Sequence, residues 1–263
     1  MPGLTIRPRD AARPLVFLAR APEKTRALAR TLERAGLKAL SAPVIQAAPP
    51  SSWRGLDAAL RGWKNFDAAA FASANAVDAF FARARRLRLG KPKAPALTLA
   101  VGPATARALA RHGWRADAVP KSPGGRNLAR AAGGVRGLRV LVPRAKGGKD
   151  DLIRGLRARG ARVKAVEAYR TVADRGHAAA LRRLAQRGEI SAAAFFSGSA
   201  VRAFRAQVGA AAWSRLRRAG LFAALGPTAS QALRAAGARN ILQAPRADPR
   251  ELARLVTRAL KTP

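Results

Sequence analysis

Ala193 to Phe204 reads AAFFSGSAVRAF, and the sequence changes character halfway through. An apolar run gives way at Ser197-Gly198-Ser199 to small hydroxyl and glycine residues, and an amphipathic segment starts at once. That order predicts a buried strand whose C-terminal end turns tightly into a helix. In open α/β sheets ligands settle at such junctions, because the first N–H groups of a helix have no intrahelical acceptor and favour anions. The same device occurs earlier. Phe71 to Phe80 reads FASANAVDAF, so Ser73, Val77 and Phe80 recur as Ser197, Val201 and Phe204, 124 residues on.

The displacement of 124 holds elsewhere. Val101-Gly102-Pro103 (VGPATARAL) matches Leu225-Gly226-Pro227 (LGPTASQAL), and Val16 to Arg20 (VFLAR) matches Val140 to Arg144 (VLVPR). Gly36 with Gly160, Gly113 with Gly237, and Leu128-Ala129-Arg130 with Leu252-Ala253-Arg254 keep the register. Solenoid repeats have periods of roughly 20–50 residues, so a period this long indicates a duplicated α/β unit.

A chain of 263 residues, 49% of them hydrophobic, can fill two cores of ordinary size. Lys and Arg number 51 against 14 Asp and Glu, a formal charge of +37, which attracts polyanions of any kind. The arginines recur every few residues and form no single run, which argues against a dedicated nucleic-acid arm and for solvated helix faces. Cysteine is absent, so disulfides and thiolate chemistry are excluded. His112 and His177 are the only imidazoles and neither has a ligand partner nearby, which argues against a zinc or iron site. No apolar stretch approaches the roughly 18 residues of a membrane span. MPGLTIRPRDAARP, at the start, lacks the apolar core of a secretory signal and reads as a short disordered basic lead. A soluble cytoplasmic protein is expected.

Periodicity predicts strands at 15–19, 37–45, 66–72, 96–101 and 114–119, with helices at 23–35, 53–62, 75–87, 103–112 and 127–132. The second copy predicts strands at 138–142, 162–169, 192–196, 221–225 and 240–243, with helices at 151–159, 200–207, 228–236 and 249–260. Strand and helix alternate, so each sheet should be parallel with helices on both faces.

In this order and spacing the motifs resemble the uroporphyrinogen-III synthase family. The resemblance runs from Val16 to Leu260. It rests on VFLAR, FDAAAFASANAV at 66–77, VGPATARAL, LRVLVPR at 138–144, VEAYRTV at 166–172, FFSGSAV at 195–201 and LGPTASQAL. Two departures stand out. The family usually has Thr before the serine of each strand end, where this chain has Ala72 and Phe196, and it favours Thr where Ala229 stands in the second Gly-Pro element.

The resemblance implies two similar doubly wound α/β domains with parallel sheets, joined by a two-stranded connector, with a ligand cleft between them. Mapped here, residues 1–43 with 172–263 would form one domain and 44–171 the other, with connectors near Pro43 and Tyr169. The repeat taken alone suggests a different cut, at about 139. The implied substrate is hydroxymethylbilane, a linear tetrapyrrole with eight carboxylates. It loses water, inverts ring D and closes to uroporphyrinogen III. No cofactor or metal is implied. A monomer is expected, with the upstream bilane-forming enzyme as a partner and no membrane involvement.

Carboxylates need donors, and four strand–helix junctions offer them: Ser73-Ala74-Asn75, Gly102 to Thr105, Ser197-Gly198-Ser199 and Gly226 to Thr228. Ser, Asn and Thr also cap helices wherever they occur, and one residue can do both. Tyr169, the only tyrosine, matches the family's tyrosine, which is implied to assist loss of the hydroxyl; the bland alternative is an amphipathic residue at a domain edge. Arg20 and Arg144 end equivalent strands and can pair with acetate or propionate groups. Other chemistries fail on spacing. Gly147-Gly148-Lys149 lacks the residues of a P-loop, and FSGSAV is no nucleophile elbow. The competing functions are a nucleic-acid-binding protein, for which only nonspecific, salt-sensitive affinity is expected, and a small-molecule sensor on a duplicated scaffold.

Overall fold

The computed structural model describes residues 13–261, so the basic lead expected at the start lies almost wholly outside the described residues. The chain begins with β1 (Leu15–Leu18), α1 (Pro22–Arg34) and β2 (Lys38–Ser41). It continues through β3 (Ile45–Ala48), α2 (Arg54–Arg61), β4 (Ala68–Phe71), α3 (Ala74–Arg86), β5 (Leu97–Ala100) and α4 (Pro103–Arg111). Next come α5 (Gly125–Ala131), β6 (Arg139–Ala145), α6 (Asp151–Ala158), β7 (Arg162–Ala173), α7 (Ala178–Gln186) and β8 (Ile190–Phe195). The last stretch holds α8 (Gly198–Val208), α9 (Ala210–Ala219), β9 (Leu221–Ala224), α10 (Pro227–Ala235), β10 (Asn240–Gln243) and α11 (Pro249–Lys261).

Two compact units result, residues 13–46 with 172–261 and residues 47–171, and β3 and β7 carry the chain from one to the other. The first unit holds a five-stranded sheet in the order β10-β9-β8-β1-β2, parallel throughout. The second has the order β3-β7-β6-β4-β5, parallel from β7 to β5. The copies of the repeat interleave: β1 corresponds to β6 and β4 to β8, so each sheet takes strands from both. In each, the order reverses between neighbouring strands, β1 and β8 in one and β6 and β4 in the other, where open α/β sheets bind ligands.

Burial alternates along the central strands with the period of two that a pleated strand imposes. In β1, Leu15 and Phe17 join the core with α7 to α10, while Val16 and Leu18 join the opposite one with α1 and α11. In β4, Ala69 and Phe71 face α2 to α4, and Ala68 and Ala70 face α5 and α6. Alanine in the central strands leaves room for bulk from the helices. Phe204 of α8 fills it in the first unit, with ring centroids 5.4 Å from Phe17 and 5.2 Å from Phe195. A side chain of that size, fully buried, contributes roughly 1.5–3 kcal/mol.

Three expectations need correction. The strand expected at 37–45 is two strands, because Pro43 lacks an N–H and the Val44 carbonyl accepts instead from Asp174 N (2.9 Å) and Gln207 Nε2 (3.0 Å). The strand expected at 114–119 is reduced to a bridge between Leu99 and Ala118, because the Asp117 carboxylate takes the Thr98 N–H (2.7 Å). Helices α7 and α9 were not anticipated. Their alanine- and arginine-rich sequences bury only short apolar stripes, Leu181 with Leu184 and Ala185, and Ala212 with Trp213 and Leu216.

Candidate functional site

In the second unit β4 ends at Phe71, and Ser73, in extended conformation, caps α3 with its Oγ accepting from Ala76 N (3.1 Å). The cap leaves the N–H groups of Ala74 and Asn75 without an intrahelical acceptor. Ser73 Oγ also lies 3.0 Å from Tyr169 Oη. Tyr169 sits in β7, opposite Ala145 at the end of β6, just past a register irregularity between Arg144 and Ala145. Its position is held by main chain, since Lys146 N–H donates to its carbonyl at 2.8 Å. Gly102 caps α4 from extended backbone, Pro103 opens the helix, and Thr105 N–H returns to Gly102 O at 3.0 Å. The Thr105 side chain is buried.

Arg144 ends up within its own loop. Its guanidinium donates to the Gly148 carbonyl and the Asp150 carboxylate, and that bond holds the Asp150 carboxyl below the usual carboxylate range. Lys146 Nζ reaches Ser51 Oγ (2.8 Å) in the turn before α2. Ser73, Asn75, Gly102, Arg144 and Tyr169 therefore gather at the carboxyl edge of β4, β5, β6 and β7, which are neighbours in one sheet.

The first unit repeats this plan with different contacts. Ser197 caps α8 through Ala200 N (3.3 Å), and its Oγ lies 3.1 Å from Ser199 Oγ. Gly198 is a packing requirement, because a Cβ there would stand 2.9 Å from the Thr228 carbonyl oxygen and 3.2 Å from Ala232 Cβ. Gly226 caps α10 from extended backbone, with Pro227 opening the helix and Thr228 exposed beside it. Arg20 follows β1, and its guanidinium lies over the Phe196 ring, 5.2 Å from the centroid. Burial draws Arg20 below the ordinary arginine value, and the charge of Glu23 opposes that.

The departures from the family pattern acquire local accounts. Ala229 is buried, as is Thr105 at the equivalent place, so an alanine there fits the core without a hydroxyl to satisfy. Phe196 supplies the ledge for Arg20, whereas its counterpart Ala72 is exposed. Sequence reasoning missed that ledge, and also Lys146 and Gln207. Gln207 Nε2 donates to Val44 O (3.0 Å) and Asp174 O (2.9 Å), where both connecting segments enter the first unit. Its spacing from them, 163 and 33 residues, gave no local signal. Among the described residues no three His, Cys, Asp or Glu side chains are placed to hold a metal ion, and no helix is long and apolar enough to cross a membrane.

Each edge can thus bind anions through helix-start N–H groups and hydroxyls; the first unit adds Arg20, and the second adds a phenol held against a serine hydroxyl. Comparison with known proteins bears on what such edges serve. Residues 26–254 match the family described as uroporphyrinogen-III synthase HemD. The uroporphyrinogen-III synthase of Synechococcus elongatus is 32% identical over 156 residues, which are 59% of this chain and 59% of that protein. The match therefore spans less than two thirds of that relative's length. Two crystal structures share the fold. Mutant uroporphyrinogen III synthase from Thermus thermophilus has a TM-score of 0.63 at 22% identity, over 95% of this chain and all of that one. Uroporphyrinogen-III synthetase from Helicobacter pylori has 0.62 at 16%, with the same coverage.

Proposed function

The chain belongs to the uroporphyrinogen-III synthase family, and from that membership we propose that it closes hydroxymethylbilane to uroporphyrinogen III, with loss of water and inversion of ring D. Without an enzyme the bilane closes without inversion, so the protein must steer geometry more than lower a large barrier. Its tasks are to hold eight carboxylates, to help the hydroxyl leave, and to bring the substituted carbon of ring D against the ring A methylene.

The observation that carries this reading is the 3.0 Å contact between Ser73 Oγ and Tyr169 Oη. Ser73 Oγ already accepts from Ala76 N–H, so its own proton is free to point at the phenol oxygen. With serine as donor, the phenol proton is directed outward, where it can hydrogen-bond the departing hydroxyl. As the C–O bond of the hydroxymethyl group breaks, the oxygen takes a proton and leaves as water. When the substituted carbon of ring D bonds to the ring A methylene, its bond to the ring C methylene breaks; that methylene rejoins ring D at the unsubstituted α-carbon, whose hydrogen leaves as the proton that restores the balance. Beside the phenol, Ala74 and Asn75 N–H and the Gly102 corner offer donors to acetate and propionate arms, and the Ser197 and Gly226 corners of the first unit offer the same kind of donor. Arg20, lowered by burial and backed by Phe196, adds a fork for one more.

A coupled assay tests the proposal. A bilane-producing enzyme supplies substrate, and the product is separated into type I and type III isomers. Type III is expected to dominate as this protein is added. Type I alone at high protein concentration would refute the reading.

A further inference from the structure

At the far end of α3 one residue takes a backbone conformation that no other side-chain-bearing residue takes among those described. Arg88 has φ 55°, in the left-handed region. It forms a helix stop, with Arg88 N–H donating to Arg85 O (3.0 Å) and Leu89 N–H to Ala84 O (3.2 Å). Glycine fills that place after six other helices: Gly36, Gly113, Gly133, Gly160, Gly188 and Gly237. Glycine adopts this conformation freely and an L side chain does so under strain, so an arginine here needs a reason of its own.

Arg88 lines a hollow of about 410 Å³ together with Arg85, Lys91, Arg111 and His112, around Phe81. Arg111 and His112 share Asp78, at 3.2 and 3.4 Å. Among the described residues no carboxylate pairs with Arg85, Arg88 or Lys91. The walls are held in place. Phe81 stacks on His112 with centroids 4.2 Å apart and planes at 12°. The loop after α3 is pinned by two indoles, Trp114 Nε1 donating to Pro92 O (3.0 Å) and Trp63 Nε1 to Lys93 O (2.9 Å). Lys91 lies over Gly113, where any Cβ would stand 2.8 Å from its Nζ.

Arg85, in the last turn of α3, is partly accounted for by the helix dipole. Arg88 is not, since glycine would close the helix better and the loop is already fixed. Three unpaired cations on a rigid frame repel one another until a counter-charge arrives. Guanidinium forks suit phosphate oxygens, and a polyphosphate concentrates several charges in a hollow of this size. We propose that this hollow is a binding site for a polyphosphate group, either free or as the tail of a nucleoside triphosphate. The thirteen residues of α3 rise about 20 Å from Ser73, so the hollow is distinct from the tyrosine edge and does not depend on the function proposed above.

Arg88→Gly tests it in the whole protein, with Arg30→Gln on α1 as a charge-matched control. Without ligand, Arg88→Gly should melt about 2–4 °C higher, because strain is relieved. Tripolyphosphate should raise the melting temperature of the native protein and of Arg30→Gln alike, and Arg88→Gly should bind it about tenfold more weakly or worse. ATP shifting the midpoint more than tripolyphosphate identifies a nucleotide; equal shifts identify the phosphate chain alone. Equal responses in all three proteins would mean diffuse attraction to a basic surface and overturn the proposal. So would no response in the native protein, or no gain in unliganded stability for Arg88→Gly.

Discussion

Tyr169 Oη has one polar neighbour among the described side chains, Ser73 Oγ at 3.0 Å, and Ser73 is in turn fixed by its cap on α3. On the proposed function, replacing the tyrosine with phenylalanine removes the donor to the leaving oxygen, and it keeps the ring packed against the α2–α4 core. If orientation of the bilane supplies most of the selectivity, Tyr169→Phe lowers turnover by one or two orders of magnitude at most and still gives type III product. Steady-state rates with isomer analysis check this. A folded variant without any activity would show that proton donation outweighs orientation. Much of this edge is legible from local sequence, because serine and glycine-proline at strand ends act within a few residues. The Ser73–Tyr169 pairing is not, since it spans 96 residues and follows an irregularity that sets Tyr169 opposite Ala145. Arg144 shows a similar limit: its own loop, through Gly148 and Asp150, takes the fork that its place at the strand end assigns to a ligand.

Helices dock here by close approach or by paired charge. Gly198 in α8 rests on the first turn of α10, a contact that glycine alone allows. Asp57 in α2 instead receives both arms of Arg83 from α3, each at 2.6 Å, with the guanidinium 4.5 Å from the Trp53 ring. The bond to Arg83 draws the Asp57 carboxyl below its ordinary value. A group depressed in this way contributes stability that is complete above its unfolded value, about 3.9, and is lost as pH falls through the lower folded value. Asp57→Asn is therefore expected to cost about 1–3 kcal/mol at neutral pH, with the gap to the native protein closing below about pH 4. Denaturant melts of both proteins across that range measure it; a gap that widens in acid contradicts the assignment. The helices invisible to sequence reasoning, α7 and α9, belong to this scale too. Alanine is a strong helix former but contributes little apolar contrast, so a stripe of two or three large residues barely registers as periodicity.

The period of 124 residues describes the origin of the chain better than its partition. A cut near 139 would separate β1 from β8 and β4 from β6, yet these are hydrogen-bonded neighbours in the two sheets. Packing follows the sheets. Every buried cluster belongs to one unit: two draw only on residues between 56 and 168, and two only on residues before 45 and after 180. A repeat detects which segments share ancestry, whereas partition depends on which strands pair, and long-range pairing leaves no local mark. The consequence can be measured with two fragments. Residues 44–173 contain all five strands of the second sheet and both of its cores, so this fragment is expected to fold alone, with α/β circular dichroism and one cooperative melt. Residues 1–138 contain a complete copy of the repeat but leave β1 without β8 and β4 without β6. Their exposed alanine- and phenylalanine-rich strands should then aggregate or stay unfolded. A cooperative melt for 1–138 and none for 44–173 would mean that the repeat, and not the sheet, is the unit of folding.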